Sequence, residues 1–133
     1  MIDVESTIFN RVAEKFSEAY PGGSRYGEYV SSPTQFPCLI LMEEDNSTYE
    51  RSLDAQMAEH DANLMYSVNV YSNKTSGAKQ ECKEIMQLVD TEMLSMGFTR
   101  TFCNQTKNED KKIYRMTARY RAVISEDYRI YRR

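Results

Sequence analysis

Val4, Ile8, Val12 and Phe16 recur at four-residue steps, and Phe9, Ala13 and Tyr20 widen the stripe they draw. Side chains spaced this way share one face of an α-helix. Asp3 suits the N-cap position, and Pro21-Gly22-Gly23 ends the pattern. The spacing therefore predicts an amphipathic helix over Asp3–Tyr20. A second stripe, Cys82, Ile85, Val89, Met93 and Met96, widened by Met86 and Leu88, predicts a helix over Ala78–Met96. Gly97 stands where the residue past a helix end is commonly glycine.

Between and after these stripes the period changes. Arg25–Val30 (RYGEYV) is a short strand candidate, and Pro33 and Pro37 bracket a loop. Cys38–Met42 is continuously apolar, as in a strand buried on both faces, and it turns acidic at Glu43, Glu44 and Asp45. Ser47–Leu53 continues as an extended arm, and Ala55–Asp61 reads as a loop. In Leu64–Asn73, Leu64, Tyr66, Val68 and Val70 alternate with Met65, Ser67, Asn69 and Tyr71, a strand pattern. Cys38–Leu53 and Ala62–Asn73 then pair as a long hairpin. Its tip has little core of its own, so contact with a neighbour is expected to order it. Phe98–Gln105 is a strand, residues 106–112 a turn, Ile113–Ser125 a strand, and Asp127–Arg133 a short strand or tail. The expected fold class is α+β: a mostly antiparallel mixed sheet with two helices packed on one face and an extended β-hairpin. The 133 residues form one domain, 1–133, without repeats or a linker.

Ile113–Ser125 separates into two rows. Tyr114, Met116, Ala118, Tyr120, Ala122 and Ile124 suit a core; Ile113, Arg115, Thr117, Arg119, Arg121 and Val123 place three arginines in line. The chain as a whole carries net charge -3. Lys111–Arg133 holds eight basic and two acidic residues, giving +6, while the rest holds nine basic and eighteen acidic, giving -9. A chain divided in this way suits pairing with copies of itself, or binding of a polyanion by its basic part.

Residues that would carry chemistry are sparse. The three cysteines, Cys38, Cys82 and Cys103, show no CxxC spacing, and the first two sit in apolar patterns that read as core. The single histidine, His60, lies between Glu59 and Asp61 in a loop and has no second histidine to help it hold a metal. No nucleophile elbow, P-loop, dinucleotide fingerprint or zincin motif occurs. No enzyme activity and no cofactor are expected. A nucleic-acid module built on the basic strand is the remote alternative: Tyr114 and Tyr120 lie on the opposite row from the arginines, so no stacking platform accompanies the charge. The start of the chain lacks a leader-like apolar run, and its longest apolar run is too short for a membrane span.

FPCLILMEEDN, MYSVNVYSNKTSGAKQECKEIMQLVDTEMLSMGFTRT and IYRMTARYRAVISEDYRIYRR together resemble small proteins encoded among the neck and tail genes of long-tailed bacteriophages and prophages. The likeness is to tail-completion proteins and, more narrowly, to tail terminators. VNVYSNKTSGAKQECKEIM and RYRAVIS carry most of it. The resemblance implies a structural virion protein of the neck, assembled in the host cytoplasm. It implies a ring of six copies that caps the tail tube, stops its polymerisation, offers the head-side connector a docking surface and lets DNA pass. A head-completion or connector protein (adaptor or stopper) is the alternative within the class. A ring needs one surface to meet a different surface of the next copy. The expected interface residues are Arg115, Arg119 and Arg121 together with Glu43, Glu44, Asp45, Tyr49 and Arg51.

Overall fold

The computed structural model describes residues 3–30, 33, 35–48, 61–107, 112–125 and 130–131. Helix α1 spans Glu5–Ala19 and α2 spans Ala78–Ser95. The strands are β1 (Ser24–Tyr26), β2 (Cys38–Thr48), β3 (Asp61–Ser72), β4 (Thr99–Thr106), β5 (Tyr114–Ser125) and β6 (Ile130–Tyr131). They form one sheet in the order β1-β2-β3-β5-β4, with β6 also paired to β5. All pairings are antiparallel except β1 with β2, which is parallel. The fold is α+β.

Each helix follows from its stripe. Ile8, Val12 and Phe16 of α1 and Cys82, Ile85, Val89 and Met93 of α2 pack on Leu39, Leu41, Leu64, Tyr66, Val68 and Val70 of the sheet. Asp3 contributes to the start of α1 from just outside it: its carboxylate accepts the Glu5 N–H at 3.3 Å, which satisfies one of the free donors of the first turn. Gly97, at φ 96°, takes the left-handed conformation that closes α2, and the Phe98 N–H reaches back to the Met93 carbonyl at 3.0 Å. Phe98 is thereby turned into the core, its ring edge-on to Tyr66 with centroids 5.5 Å apart. The other end of α2 is tied down by Glu81, which is buried. Glu81 accepts from the Ser72 hydroxyl at 2.7 Å and pairs with Lys74 at 3.2 Å.

The hairpin forms as expected and pairs from Cys38 with Tyr71 to Thr48 with Ala62. Strand β3 starts earlier than its apolar alternation, at Asp61. The arm beyond Thr48, Tyr49 and Arg51 within it, and His60 lie outside the described residues. The strand expected over Arg25–Val30 is confined to Ser24–Tyr26.

Among the described residues, both helices lie on one face of the sheet. At one end of the other face a small cluster of Cys38, Ile40 and Tyr71 is covered by Tyr26, Val30, Phe36, Met42 and Ile113. No other element of the described residues covers the rest of that face.

Candidate interaction surface

Cross-strand partners share a face of a sheet, so the register defines the open face row by row. Tyr71, Arg115 and Thr106 form the first row, next to Cys38. Ile40, Asn69, Thr117 and Asn104 form the second, Met42, Ser67, Arg119 and Phe102 the third, and Asp45, Met65, Arg121 and Thr99 the fourth. The arginine row thus lies across the middle of a four-stranded surface, with the core row of β5 on the other side beneath α2.

The three arginines are not equivalent. Arg115 leans inward and is half-buried. Its guanidinium lies 5.5 Å from the Tyr71 ring centroid, and its Nε donates to Asn69 Oδ1 at 3.0 Å. The same oxygen accepts from the Thr117 hydroxyl at 2.7 Å, and Thr106 donates to Thr117 at 2.7 Å. Arg115 is thus held against β3 by its Nε and by the Tyr71 ring. Arg119 and Arg121 are exposed, and among the described residues neither forms an ion pair. Arg119 leans outward, with its guanidinium 5.7 Å from the centroid of Phe102 on β4. Arg121 lines a cleft of about 310 Å³ with Asp45, Ser47, Asn63, Met65 and Thr99.

The acidic run divides as well. A β-bulge between Glu43 and Asp45 interrupts the simple alternation of β2. In such a bulge two residues oppose one on the partner strand. Glu44 and Asp45 both belong to the open face: Glu44 accepts the Ser67 hydroxyl, and Asp45 stands opposite Met65. Glu43, expected at the interface with Glu44 and Asp45, turns to the helix side. It accepts the Tyr66 hydroxyl at 3.1 Å, and its own N–H donates to Glu5 at 3.2 Å. Burial pushes its carboxyl above the usual range; the Tyr66 hydrogen bond opposes this, and Glu5 and Asp3 add to it. Glu43 is therefore separated from the interface residues expected with it.

Two parts of this surface are missing from the expected residue set. Phe102 and Met65 are large apolar side chains 42% and 36% exposed beside Arg119 and Arg121. Aromatic and Met side chains next to arginine are typical of protein–protein contact surfaces. The second part is β4 itself, whose residues Thr99–Gln105 are all exposed. The signal for it is legible in TRTFCNQT, which lacks an apolar row on either face.

The cysteines offer no activated nucleophile among the described residues. Burial pushes the Cys82 thiol up to about 12, and it raises Cys38 and Cys103 as well. No group of three or more His, Cys, Asp or Glu side chains fit to hold a metal ion occurs among the described residues, and none of their helices is long and apolar enough to cross a membrane.

Comparison with known proteins bears on what this surface meets. No curated protein matches the chain. The profile of one family, tail completion protein gp17, matches residues 12–125, from the middle of α1 to the end of β5. The match takes in the second half of α1, all of α2, the hairpin and the arginine strand, and it agrees with the resemblance carried by the sequence. The chain belongs to the tail completion protein gp17 family and is a structural protein of the phage tail.

Proposed function

We propose that this protein forms a ring, six copies round, on the end of the tail tube. The ring ends tube polymerisation, presents a surface to the head-side connector and leaves a central path for DNA. Its partners are copies of itself, the tube protein and the connector, and its place is the neck of the virion. Family membership supports the tail-completion role. The ring reading is carried by one observation: Arg119 and Arg121 stand exposed on the open sheet face without an ion pair among the described residues, in a chain otherwise acidic. A basic surface on a molecule acidic elsewhere is complementary to a different surface of the next copy. Repeated head-to-tail contacts of that kind form a ring where the rotation per copy closes, and arginine forks bond carboxylates two-pronged.

Electron microscopy of the purified protein mixed with tail tubes of the same virus tests the reading. Rings of six on one end of tubes of limited length are expected. Rings that bind only the head-side portal would move the protein to a connector role. Arg119→Glu and Arg121→Glu are expected to abolish rings while leaving the circular dichroism spectrum unchanged. Normal rings from both variants would remove the arginine pair from the interface.

A further inference from the structure

β4 is an edge strand eight residues long, and no strand of the described residues pairs with its outer side. It contains no proline and one charged side chain, Arg100, which is held by Asp90 at 2.8 Å. Exposed edges of this length are normally shortened, charged or covered, because their free N–H and C=O groups pair with any strand that arrives. The opposite edge of the sheet is only partly closed. β1 covers Cys38–Ile40 of β2, and Glu5 takes the Glu43 N–H. From Glu44 to Thr48, no other strand of the described residues lies on the outer side of β2. That segment carries Glu44 and Asp45.

We propose that copies of this chain join edge to edge: the outer edge of β4 in one copy pairs with the Glu44–Thr48 segment of β2 in the next. The inference rests on the ring reading above and names its joint. The two edges are different surfaces, so the contact is heterologous, and each copy passes its sheet on to the next. Charge supports this occupant. Neighbouring strands lie about 4.8 Å apart, so β2 of the next copy would stand two spacings, about 10 Å, from β5. An arginine on β5 and a carboxylate on that strand meet by reaching across β4. Arg119 already leans that way over Phe102, and Glu44 receives its own Ser67 hydroxyl on one carboxylate oxygen, while a carboxylate accepts further donors on its second. Arg119 and Arg121 would then pair with Glu44 and Asp45 of the next copy, and Phe102 would be covered between them.

Disulfide trapping tests the joint. Cys103→Ser removes the exposed thiol and leaves Cys38 and Cys82, which are buried. Into this background go Thr99→Cys with Ser47→Cys, the pair that sets Arg119 beside Glu44 and Asp45 of the next copy, or Asn104→Cys with Ser47→Cys to allow for register; all three positions are exposed and face the open side, and both carboxylates stay in place. Within one chain these positions are three strand spacings apart, about 14 Å, beyond disulfide reach. After assembly on tubes and oxidation, a ladder up to six chains is expected on a non-reducing gel from at least one pair, and none from the single-cysteine proteins. Rings by microscopy without a ladder from either pair would overturn the edge joint and leave the ring reading standing. Absence of rings from the unaltered protein would overturn both. Ladders from open chains would support the joint and sink the closed ring. In the unaltered protein, amides of Thr99–Thr106 are expected to exchange at least tenfold more slowly after assembly; unchanged exchange there would also overturn the joint.

Discussion

Tyr120→Phe isolates one hydrogen bond that fastens α2 to the sheet. Tyr120 is fully buried, and its hydroxyl donates to Asp90 Oδ1 at 2.8 Å. Asp90 also takes Arg100 Nη1 at 2.8 Å, so one carboxylate on α2 ties together β5 and β4. A hydrogen bond to a charged acceptor contributes about 1.5–3 kcal/mol. The lower end applies here. Asp90 keeps its arginine, and its side chain is 20% exposed, so water replaces the lost donor. Unfolding entropy of about 2.1 cal/mol/K per residue converts about 1.5 kcal/mol into a Tm loss of about 5 °C for a chain of 133 residues. Differential scanning calorimetry of Tyr120→Phe beside Arg100→Gln reads the comparison. Arg100 is 47% exposed, and surface ion pairs contribute under about 1 kcal/mol, so Arg100→Gln is expected to cost less. A Tyr120→Phe loss below about 1 °C, or a larger loss from Arg100→Gln, would refute the reasoning that the buried hydroxyl is the stronger tie.

Ile85 is fully buried at the centre of the α2 stripe, so Ile85→Ala is expected to cost about 2–5 kcal/mol in urea unfolding; no loss would mean that α2 packs on a different face. Glu43→Gln tests the buried carboxyl. Its pKa is raised, chiefly by burial, so the folded state binds its proton more tightly than the unfolded chain. Its contribution to stability therefore improves as pH falls from neutral through the folded pKa and levels off below the unfolded value. Glu43→Gln is expected to melt above the parent at pH 7, with a gain that shrinks toward pH 4. An equal loss at both pH values would show that the carboxylate's hydrogen bonds outweigh its burial.

The elements themselves were readable from period alone. Stripes at four-residue steps marked both helices, and alternation marked the two rows of β5, because burial on one face imposes the period of the backbone on the choice of side chains. The buried face of β3 followed from Leu64, Tyr66, Val68 and Val70, since a one-residue slip would have put them all on the open face. The surface chemistry was less legible. Arg115, Arg119 and Arg121 are alike in the chain, and the inward lean of the first depends on Asn69 and Tyr71 from a distant segment. Glu43 and Glu44 are adjacent, yet a bulge and the tyrosine at position 66 divide them between the two faces. That β4 is an edge depends on strand order, which puts β5 between β3 and β4. Periodicity reports which side of an element is buried. Which element lies beside it, and therefore which charges remain free, is set by contacts between segments far apart in the chain.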